Sequence, residues 1–230
     1  MKLAIMGAMP EEIAPILERL DGYLTTEYAG NKYYEGTYKG VDLVIAYSKI
    51  GKVFSTLTAT TMIEYFGAKK LLFSGVAGAV SPDLKVGDLV VATKLSQHDL
   101  DITAFGHPYG YVPEGSVYVE ADKGLIELSK SVAADMGLHV KEGIIATGDQ
   151  FVANEERKNW IGETFNADAL EMEGGSVAVV CNALNVPFFI LRAISDAADM
   201  DASFSFDEFL ESSAKISADF VMKMVEKLAE

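Results

Sequence analysis

The fold is decided by the stretch Phe188-Phe189-Ile190-Leu191-Arg192-Ala193-Ile194-Ser195-Asp196, an apolar run that ends in a serine and an aspartate. Continuous apolar runs of this kind are typical of strands buried on both faces, as in parallel sheets covered by helices. Open α/β sheets bind their ligands in the crevice at the carboxyl ends of such strands. We therefore interpret Asp196 as a carboxylate held at a ligand site, where acid chemistry is available to it.

The alternation of strands and helices continues outward from this stretch along the whole chain. Strands are predicted over residues 2–6, 24–29, 32–39, 41–47, 70–74, 87–96, 140–147, 167–171 and 187–194, and helices over residues 10–20, 51–66, 122–136, 155–164, 174–184 and 205–229. Residues 97–120 are the least regular part, and loops of this length are usually functional or lie at an interface. The pattern predicts one large α/β domain over residues 1–230, with a central sheet covered by helices.

Composition limits the classes of partner. The chain has 34 acidic and 19 basic residues and a formal charge of −15, which repels a phosphate backbone and argues against nucleic acid or an anionic membrane as a partner. The longest apolar run, residues 186–191, is too short to span a bilayer. A single cysteine and an N-terminus without a secretory pattern favour the cytoplasm. We expect a cytoplasmic protein with a small neutral or cationic ligand.

Two charged residues have both a structural and a functional interpretation. Glu12 lies in the first turn of the first predicted helix, where a carboxylate complements the helix dipole, but the chain there also passes over the predicted crevice. Arg192 lies inside an apolar strand, where a charge requires an anionic partner. The candidates for that partner are Glu12, Glu173 and Asp196. Such an ion pair either fixes the fold or belongs to the site.

Other motifs are less specific. Gly75-Val76-Ala77-Gly78 is either a tight turn or a place where the backbone passes close to a flat ligand, and it lacks the lysine and spacing of a phosphate-binding loop. Residues 97–101 contain one histidine and two aspartates without a second cluster to complete a metal shell, so no metal is predicted. Cys181 has no neighbouring base and is typical of a buried, inert thiol. Phe151 follows a strand, where it either belongs to the core or stacks on a planar base.

Taken together, the motifs resemble those of the 5′-methylthioadenosine/S-adenosylhomocysteine nucleosidases, within the fold family of the purine nucleoside and uridine phosphorylases. The resemblance covers essentially the whole chain and rests on the order and spacing of its segments. The matching segments include residues 7–12, 48–53, 75–78, 86–88, 98–106, 147–151, 171–173, 192–196 and 205–209. The resemblance implies a three-layer α/β/α fold with a central twisted mixed β-sheet, and hydrolysis of an N-glycosidic bond that releases adenine.

The resemblance also implies roles for four charged residues. Asp196 is the expected acid at purine N7, because adenine is a poor leaving group as an anion. Glu173 is expected to bind the ribose hydroxyls, and nearby carboxylates stabilise the oxocarbenium character of the sugar. Glu12 is the expected base for the attacking water, and Arg192 is expected to order the carboxylates and the water. Glu171 is left without a role.

The rest of the expected pocket follows from the same resemblance, which implies no cofactor. Phe151 is expected to stack on adenine, and Val152 is expected to read the purine edge through its backbone. Ser195 is expected to orient Asp196. Met172 and Phe206 are expected to pack on the ribose, whereas Met9 and Ile50 are expected to line the channel for the 5′-substituent. Ile102, Phe105 and Pro113 are expected to reach that channel from the neighbouring subunit, which implies a homodimer. Val76 stands where some relatives carry serine.

Two alternatives and one refinement remain open. A phosphorolytic relative would hold phosphate with arginines, whereas this chain has only Arg19, Arg157 and Arg192, of which Arg192 alone has a plausible pocket position. A noncatalytic nucleoside-binding protein would not need all three carboxylates. Within the nucleosidases, several segments resemble a branch that also cleaves 6-amino-6-deoxyfutalosine on a menaquinone route.

Overall fold

Ten strands form one mixed sheet in the computed structural model, which describes residues 1–198 and 201–229. The strands are β1 (Lys2–Gly7), β2 (Tyr23–Tyr28), β3 (Asn31–Tyr38), β4 (Val41–Tyr47), β5 (Lys70–Ala79), β6 (Leu89–Gln97), β7 (Val119–Glu120), β8 (Val140–Thr147), β9 (Ala169–Glu171) and β10 (Phe188–Asp196). The helices are α1 (Pro10–Leu17), α2 (Lys52–Glu64), α3 (Lys123–Met136), α4 (Glu155–Phe165), α5 (Gly174–Ala183) and α6 (Ala202–Ala229), with a short 3₁₀ helix over Thr103–Phe105. The mixed α/β fold predicted from the sequence is confirmed.

Part of the sheet closes on itself. The strand order is β10-β6-β8-β9-β5-β1-β4-β3-β2, and β10 also pairs with β5, so β10, β6, β8, β9 and β5 form a ring. β1, β4, β5 and β10 run parallel to one another, which brings their carboxyl ends to the same edge. Functional residues that follow these strands are therefore close in space although they are far apart in sequence.

Apolar strands explain why the ring is central. Every residue of Phe188–Ala193 in β10 is buried. In β1 and in β5, every residue after the first is buried. Helices α1, α3 and α6 pack together against the sheet, whereas α2 packs on α5. Within residues 1–198 and 201–229, no helix is both long and apolar enough to cross a membrane.

Two details differ from the predicted elements. Residues 75–78 do not form a turn, because β5 continues to Ala79 and pairs there with β10 and β9. Backbone hydrogen bonds to two neighbours keep this glycine-containing segment extended. Asp196 is the last residue of β10 and does not lie beyond it. Both changes extend the strands into the region where the carboxylates gather.

Candidate active site

A partly enclosed pocket with a mainly apolar lining lies at the carboxyl ends of β1, β5 and β10, where open α/β sheets bind small ligands. Its lining includes eleven residues predicted from the sequence: Met9, Glu12, Ile50, Val76, Phe151, Val152, Met172, Glu173, Ser195, Asp196 and Phe206. It also includes residues that were not predicted, namely Ala8, Ala77, Gly78, Gln150, Leu170 and Glu171. The fold thus brings carboxylates from three distant parts of the chain to one cavity.

Glu12 is held at the end of β1 by backbone donors. Its side chain is buried, with 2% relative exposure, and its Oε2 accepts hydrogen bonds from the N–H groups of Ala8 and of Met9, the latter at 3.1 Å. Its Oε1 accepts from Val76 N at 3.1 Å. Because Val76 contributes its backbone, this contact does not depend on a serine side chain at that position. The first helix turn therefore orients the carboxylate toward β5.

Burial raises the pKa of Glu12 above its ordinary value, against the opposing effects of the Arg192 charge and the three backbone donors. A carboxylate in this state is a stronger base than an exposed one. Once it has taken a proton, the apolar surroundings favour the neutral form. These are the properties that a general base for water requires.

The partner of Arg192 is Glu171, so the predicted direct partners Glu12, Glu173 and Asp196 are wrong. The guanidinium is 1% exposed, lies 4.0 Å from the ring centroid of Phe73, and pairs with Glu171 Oε2 at 2.7 Å. Both β9, which ends at Glu171, and β10 pair with β5, and this closure brings the two residues together. Arg192 is absent from the pocket lining and acts on Glu12 through its charge.

Glu171 also fixes the start of α5. Its Oε2 accepts from Glu173 N at 3.1 Å and Gly174 N at 2.7 Å, and its Oε1 accepts from the Thr147 hydroxyl. Carboxylates are favoured at helix N-termini because they satisfy free N–H groups and complement the helix dipole. The residue that the sequence left without a role therefore joins Arg192 to the backbone of Glu173.

Glu173 enters the pocket from the turn that precedes α5. Its Oε1 accepts from Gly51 N at 2.8 Å, a contact between residues from distant parts of the chain. Burial and the neighbouring Glu171 charge raise the pKa of Glu173 to about 8, against the effects of the Gly51 N–H and Arg192. A carboxyl that keeps its proton near neutral pH is able both to donate and to accept a hydrogen bond, which suits a ligand hydroxyl.

Asp196 is oriented by its neighbours in sequence. Its Oδ2 accepts from Ser195 Oγ at 2.9 Å, and its Oδ1 accepts from Ala198 N at 2.8 Å. Ser195 Oγ also lies 3.4 Å from the carbonyl oxygen of Ala77, a second possible acceptor. The serine hydroxyl is therefore able to donate to ionised Asp196, or to accept from protonated Asp196 while it donates to Ala77.

The glycines of residues 75–78 make room for these carboxylates. A Cβ on Gly75 would lie 2.8 Å from Glu12 Oε1 and 3.1 Å from Arg192 Nη1, and a Cβ on Gly78 would lie 2.8 Å from Asp196 Oδ1. Neither space admits a methyl group without displacing the polar group. The motif is thus explained by close approach of side chains to the strand backbone.

Apolar side chains form the rest of the pocket. Phe151 and Phe206 meet edge to face, with ring centroids 5.7 Å apart, and Phe151 is about half exposed. Ile102, Phe105 and Pro113 lie on the loop between β6 and β7, outside this pocket, and Phe105 is 81% exposed. The chain's own pocket therefore has an aromatic wall, whereas the three loop residues do not contribute to it.

Two further reactive side chains, His98 and Cys181, are buried outside the pocket lining. Burial and the Arg157 charge lower the pKa of His98 to about 4, and Arg157 Nη2 lies 3.2 Å from His98 Nδ1. Burial also raises the pKa of the Cys181 thiol to about 12, so it is protonated at neutral pH. A thiolate nucleophile at this position is therefore unfavourable.

Comparison with known proteins gives relatives along nearly the whole chain. Residues 2–226 match the Phosphorylase superfamily. The chain is 59% identical over 228 residues to the aminodeoxyfutalosine nucleosidase of Campylobacter jejuni, covering 99% of this chain and 100% of that protein. It is 38% identical to the 5′-methylthioadenosine/S-adenosylhomocysteine nucleosidase of Anoxybacillus flavithermus, covering 99% of each.

A solved structure agrees with these sequence relatives. The fold matches that of the 5′-methylthioadenosine/S-adenosylhomocysteine nucleosidase of Helicobacter pylori with a TM-score of 0.97. The two sequences are 51% identical, and the match covers 98% of each chain. That protein is complexed with a pyrrolidinol that carries an aminopyrrolopyrimidine group and a propynylthiomethyl group.

Proposed function

The chain belongs to the Phosphorylase superfamily, and we propose that it is a nucleosidase that hydrolyses the N-glycosidic bond of 5′-methylthioadenosine, S-adenosylhomocysteine and related 5′-substituted adenosines. The observation that carries this conclusion is the pocket lining: Glu12, Glu173 and Asp196 meet there, and no lysine or arginine lines it among the described residues. Such a site accepts a neutral nucleoside and a water molecule, whereas it repels an anion.

The geometry supports a division of labour among the carboxyl groups. Asp196 donates a proton to N7 of the purine, so that the bond between C1′ and N9 breaks and adenine leaves neutral. Glu12 takes a proton from the water whose oxygen attacks C1′. Glu173 binds the ribose hydroxyls, and Phe151 stacks on the base. The products are adenine and the 5-substituted ribose, with one water consumed.

Phosphorolysis and binding without cleavage are tested in one assay. Adenine release from 5′-methylthioadenosine is measured in phosphate-free buffer and again with added phosphate. We expect equal rates and a free thioribose as the second product. A rate that requires phosphate and yields a sugar 1-phosphate would show a phosphorylase, and tight binding without adenine release would show a noncatalytic protein.

We infer that 6-amino-6-deoxyfutalosine is also a substrate. The support is the 59% identity to a protein named for that activity, together with the apolar side chains of Met9 and Ile50 in the pocket lining. Adenine release is compared for 5′-methylthioadenosine, S-adenosylhomocysteine, 5′-deoxyadenosine and aminodeoxyfutalosine with one preparation. Failure to cleave aminodeoxyfutalosine would restrict the function to the other adenosines.

A homodimer is part of the proposal. The exposed face of α2 carries Val53, Phe54 and Leu57, directly after pocket residue Ile50, and Phe105 extends from the loop between β6 and β7. Contiguous exposed apolar residues favour an interface between protein copies. In this arrangement Ile102, Phe105 and Pro113 would complete the neighbouring pocket. Analytical ultracentrifugation at assay concentrations is expected to give a dimer, and an active monomer would contradict the arrangement.

The raised pKa of Glu173 predicts a pH-dependent stability of the ligand-free protein. A carboxyl whose pKa is higher in the folded state than in the unfolded chain stabilises the fold. This stabilisation is fully present at pH values below the ordinary pKa of 4.5 and is lost as the pH rises through about 8. Glu173→Gln cannot ionise and keeps an oxygen for the Gly51 N–H. The melting temperature of this variant, measured by calorimetry, is therefore expected to rise relative to wild type between about pH 5 and about pH 8.

The exposed residue Glu163 provides a matched control for this measurement. Glu163→Gln removes the same kind of charge from the surface of α4, so its difference from wild type is expected to stay nearly constant across the same pH range. A constant difference for Glu173→Gln as well would show that Glu173 ionises normally in the fold.

Gly78→Ala is expected to lower adenine release about 10- to 100-fold while the protein still folds. The new methyl group would lie 2.8 Å from Asp196 Oδ1 and 3.1 Å from Ala198 Cβ, so the acid must move, and small displacements at a reacting group cost about this much. Gly22→Ala is the control, because a Cβ there meets nothing within 4 Å. Wild-type rates for Gly78→Ala would contradict the placement of Asp196.

A further inference from the structure

A closed cluster of polar groups outside the pocket lining joins the segments that follow β4, β6 and β8. Lys52 Nζ donates to Asp99 Oδ1 at 2.7 Å and to Gln97 Oε1 at 3.2 Å. Asp99 Oδ2 accepts from Asp149 N at 2.8 Å, and Asp149 Oδ1 accepts from Lys52 N at 2.7 Å. Lys52, Asp99 and Asp149 are all absent from the pocket lining, so none is placed to touch the substrate.

Gly51 connects this cluster to the pocket. It precedes Lys52 directly, and its N–H donates to Glu173 Oε1 at 2.8 Å. Its φ of 101° lies in the region that favours glycine, and a Cβ there would lie 2.9 Å from Asp149 Oδ1. The direction of the Gly51 N–H therefore depends on a backbone conformation that is held by the hydrogen bond from the Lys52 N–H to Asp149 Oδ1.

The ion pair in the cluster is more shielded from solvent than an ordinary surface pair is. The side chains of Lys52 and Asp99 are only 19% and 18% exposed, and Asp99 also accepts a backbone N–H. Burial acts to raise the pKa of Asp99, but the Lys52 side chain and the Asp149 N–H outweigh it and hold that pKa below its ordinary value. Partly shielded pairs with several hydrogen bonds fix geometry better than exposed pairs do.

We propose that Asp99 is a positioning residue for ribose recognition: through Lys52 and Asp149 it fixes the Gly51 N–H against Glu173 and thereby orients the carboxyl group that binds the ribose hydroxyls. This inference rests on the proposed role of Glu173. It gives a function to Asp99, one of the two aspartates in residues 97–101, whose carboxylate binds a lysine and a backbone N–H. Neighbouring residues Ile50 and Phe151 line the pocket, so the cluster also aligns two of its walls.

The test measures ribose recognition and not activity alone. Hydrolysis of 5′-methylthioadenosine and of its 2′-deoxy and 3′-deoxy analogues is compared for wild type, Asp99→Asn, Lys52→Met and the double variant. The quantity of interest is the loss of kcat/KM on removal of a hydroxyl. In wild type, removal of a ribose hydroxyl is expected to lower kcat/KM. In Asp99→Asn and in Lys52→Met we expect this decrease to be about tenfold smaller, because a misplaced Glu173 no longer distinguishes the complete ribose from its deoxy analogues. The double variant is expected to resemble the single variants, because both break the same contact.

Asp83→Asn is the matched control. Asp83 is 85% exposed and pairs at 4.0 Å with Lys141, at the opposite end of β8 from Asp149, so its removal is expected to leave the discrimination at the wild-type value. A purely structural cluster would lower the melting temperature of Asp99→Asn without changing the discrimination, and that result would overturn the proposal. If Asp99→Asn fails to fold, Lys52→Met carries the same comparison from the other side of the contact.

The outcomes separate this inference from the function on which it rests. A wild-type enzyme that cleaves all three substrates equally well would overturn the role of Glu173 and the inference together. A wild-type enzyme that discriminates, with Asp99→Asn and Lys52→Met discriminating equally well, would leave the role of Glu173 intact and overturn only the positioning by Asp99.

Discussion

Asp196→Asn is expected to fold and to bind 5′-methylthioadenosine, but to release adenine about 10²–10⁴ times more slowly than wild type, the range that general acid catalysis contributes. Asparagine has nearly the shape of aspartate but has no proton that it can transfer to N7 at neutral pH. Because the base then leaves as an anion, the cost falls on the chemical step and not on binding. We therefore expect a loss in kcat with little change in the dissociation constant.

Asparagine can keep the hydrogen bonds that Asp196 makes with Ser195 and Ala198. The asparagine oxygen can accept the Ala198 N–H, as Oδ1 does at 2.8 Å, and the asparagine NH₂ can donate to Ser195 Oγ. Ser195 Oγ then donates to the carbonyl oxygen of Ala77, which lies 3.4 Å away. The variant is consequently expected to melt near the wild-type temperature.

Three measurements check the prediction: single-turnover adenine release, calorimetric titration with 5′-methylthioadenosine, and thermal unfolding. Asp42→Asn, an exposed aspartate near the start of β4, is the control for loss of an acidic charge and is expected to behave as wild type. Near-native turnover by Asp196→Asn would remove Asp196 from the mechanism. A variant that neither binds nor folds normally would show instead that Asp196 has a structural role.

The sequence predicts those parts of this protein that depend on local pattern. The strand predicted over residues 41–47 is observed as Val41–Tyr47, and that over 140–147 as Val140–Thr147. Glu12 and Asp196 are also placed near the pocket, because each belongs to a short segment at the end of an apolar strand, and strand ends meet at one edge of a parallel sheet. Periodicity and strand ends are properties that neighbouring residues encode.

The ion pair of Arg192 could not be predicted in this way. It depends on the closure of β10, β6, β8, β9 and β5 into a ring, which places Glu171 beside Arg192, and no spacing in the sequence encodes that closure. The same reason explains why β5 continues through Gly75 and Gly78, which pair with β10 and make room for carboxylates from elsewhere. Charge partners and glycine positions of this kind are set by non-local packing.

Glu12→Gln is expected to lower adenine release about 10²–10⁴-fold, because the amide cannot take a proton from the attacking water. It should also cost stability, unlike Asp196→Asn. Both oxygens of Glu12 accept backbone N–H groups, and a glutamine has only one oxygen. Whichever way the amide is turned, its NH₂ faces a donor, either Val76 N or the pair Ala8 N and Met9 N. A buried N–H left without an acceptor costs about 1–3 kcal/mol.

Glu11→Gln is a closely matched control, since Glu11 precedes Glu12 in the same helix turn and is exposed. We expect it to keep wild-type rates and stability. The rates are compared well below the melting temperature of Glu12→Gln, so that unfolding does not enter them. Activity of Glu12→Gln above about one tenth of wild type under these conditions would assign the base to another group.

The pH dependence of the rate gives an independent check on Glu12. A base must be unprotonated, so wild-type kcat/KM is expected to fall as pH decreases through the pKa of Glu12, which burial raises above its ordinary value of 4.5. The residual activity of Glu12→Gln should lack that acidic limb, because the titrating group is gone. If the limb persists in the variant, another group controls it. Asp196 protonates the adenine, whereas Glu12 deprotonates the water. The fall in kcat/KM at acidic pH should therefore persist in Asp196→Asn and disappear in Glu12→Gln.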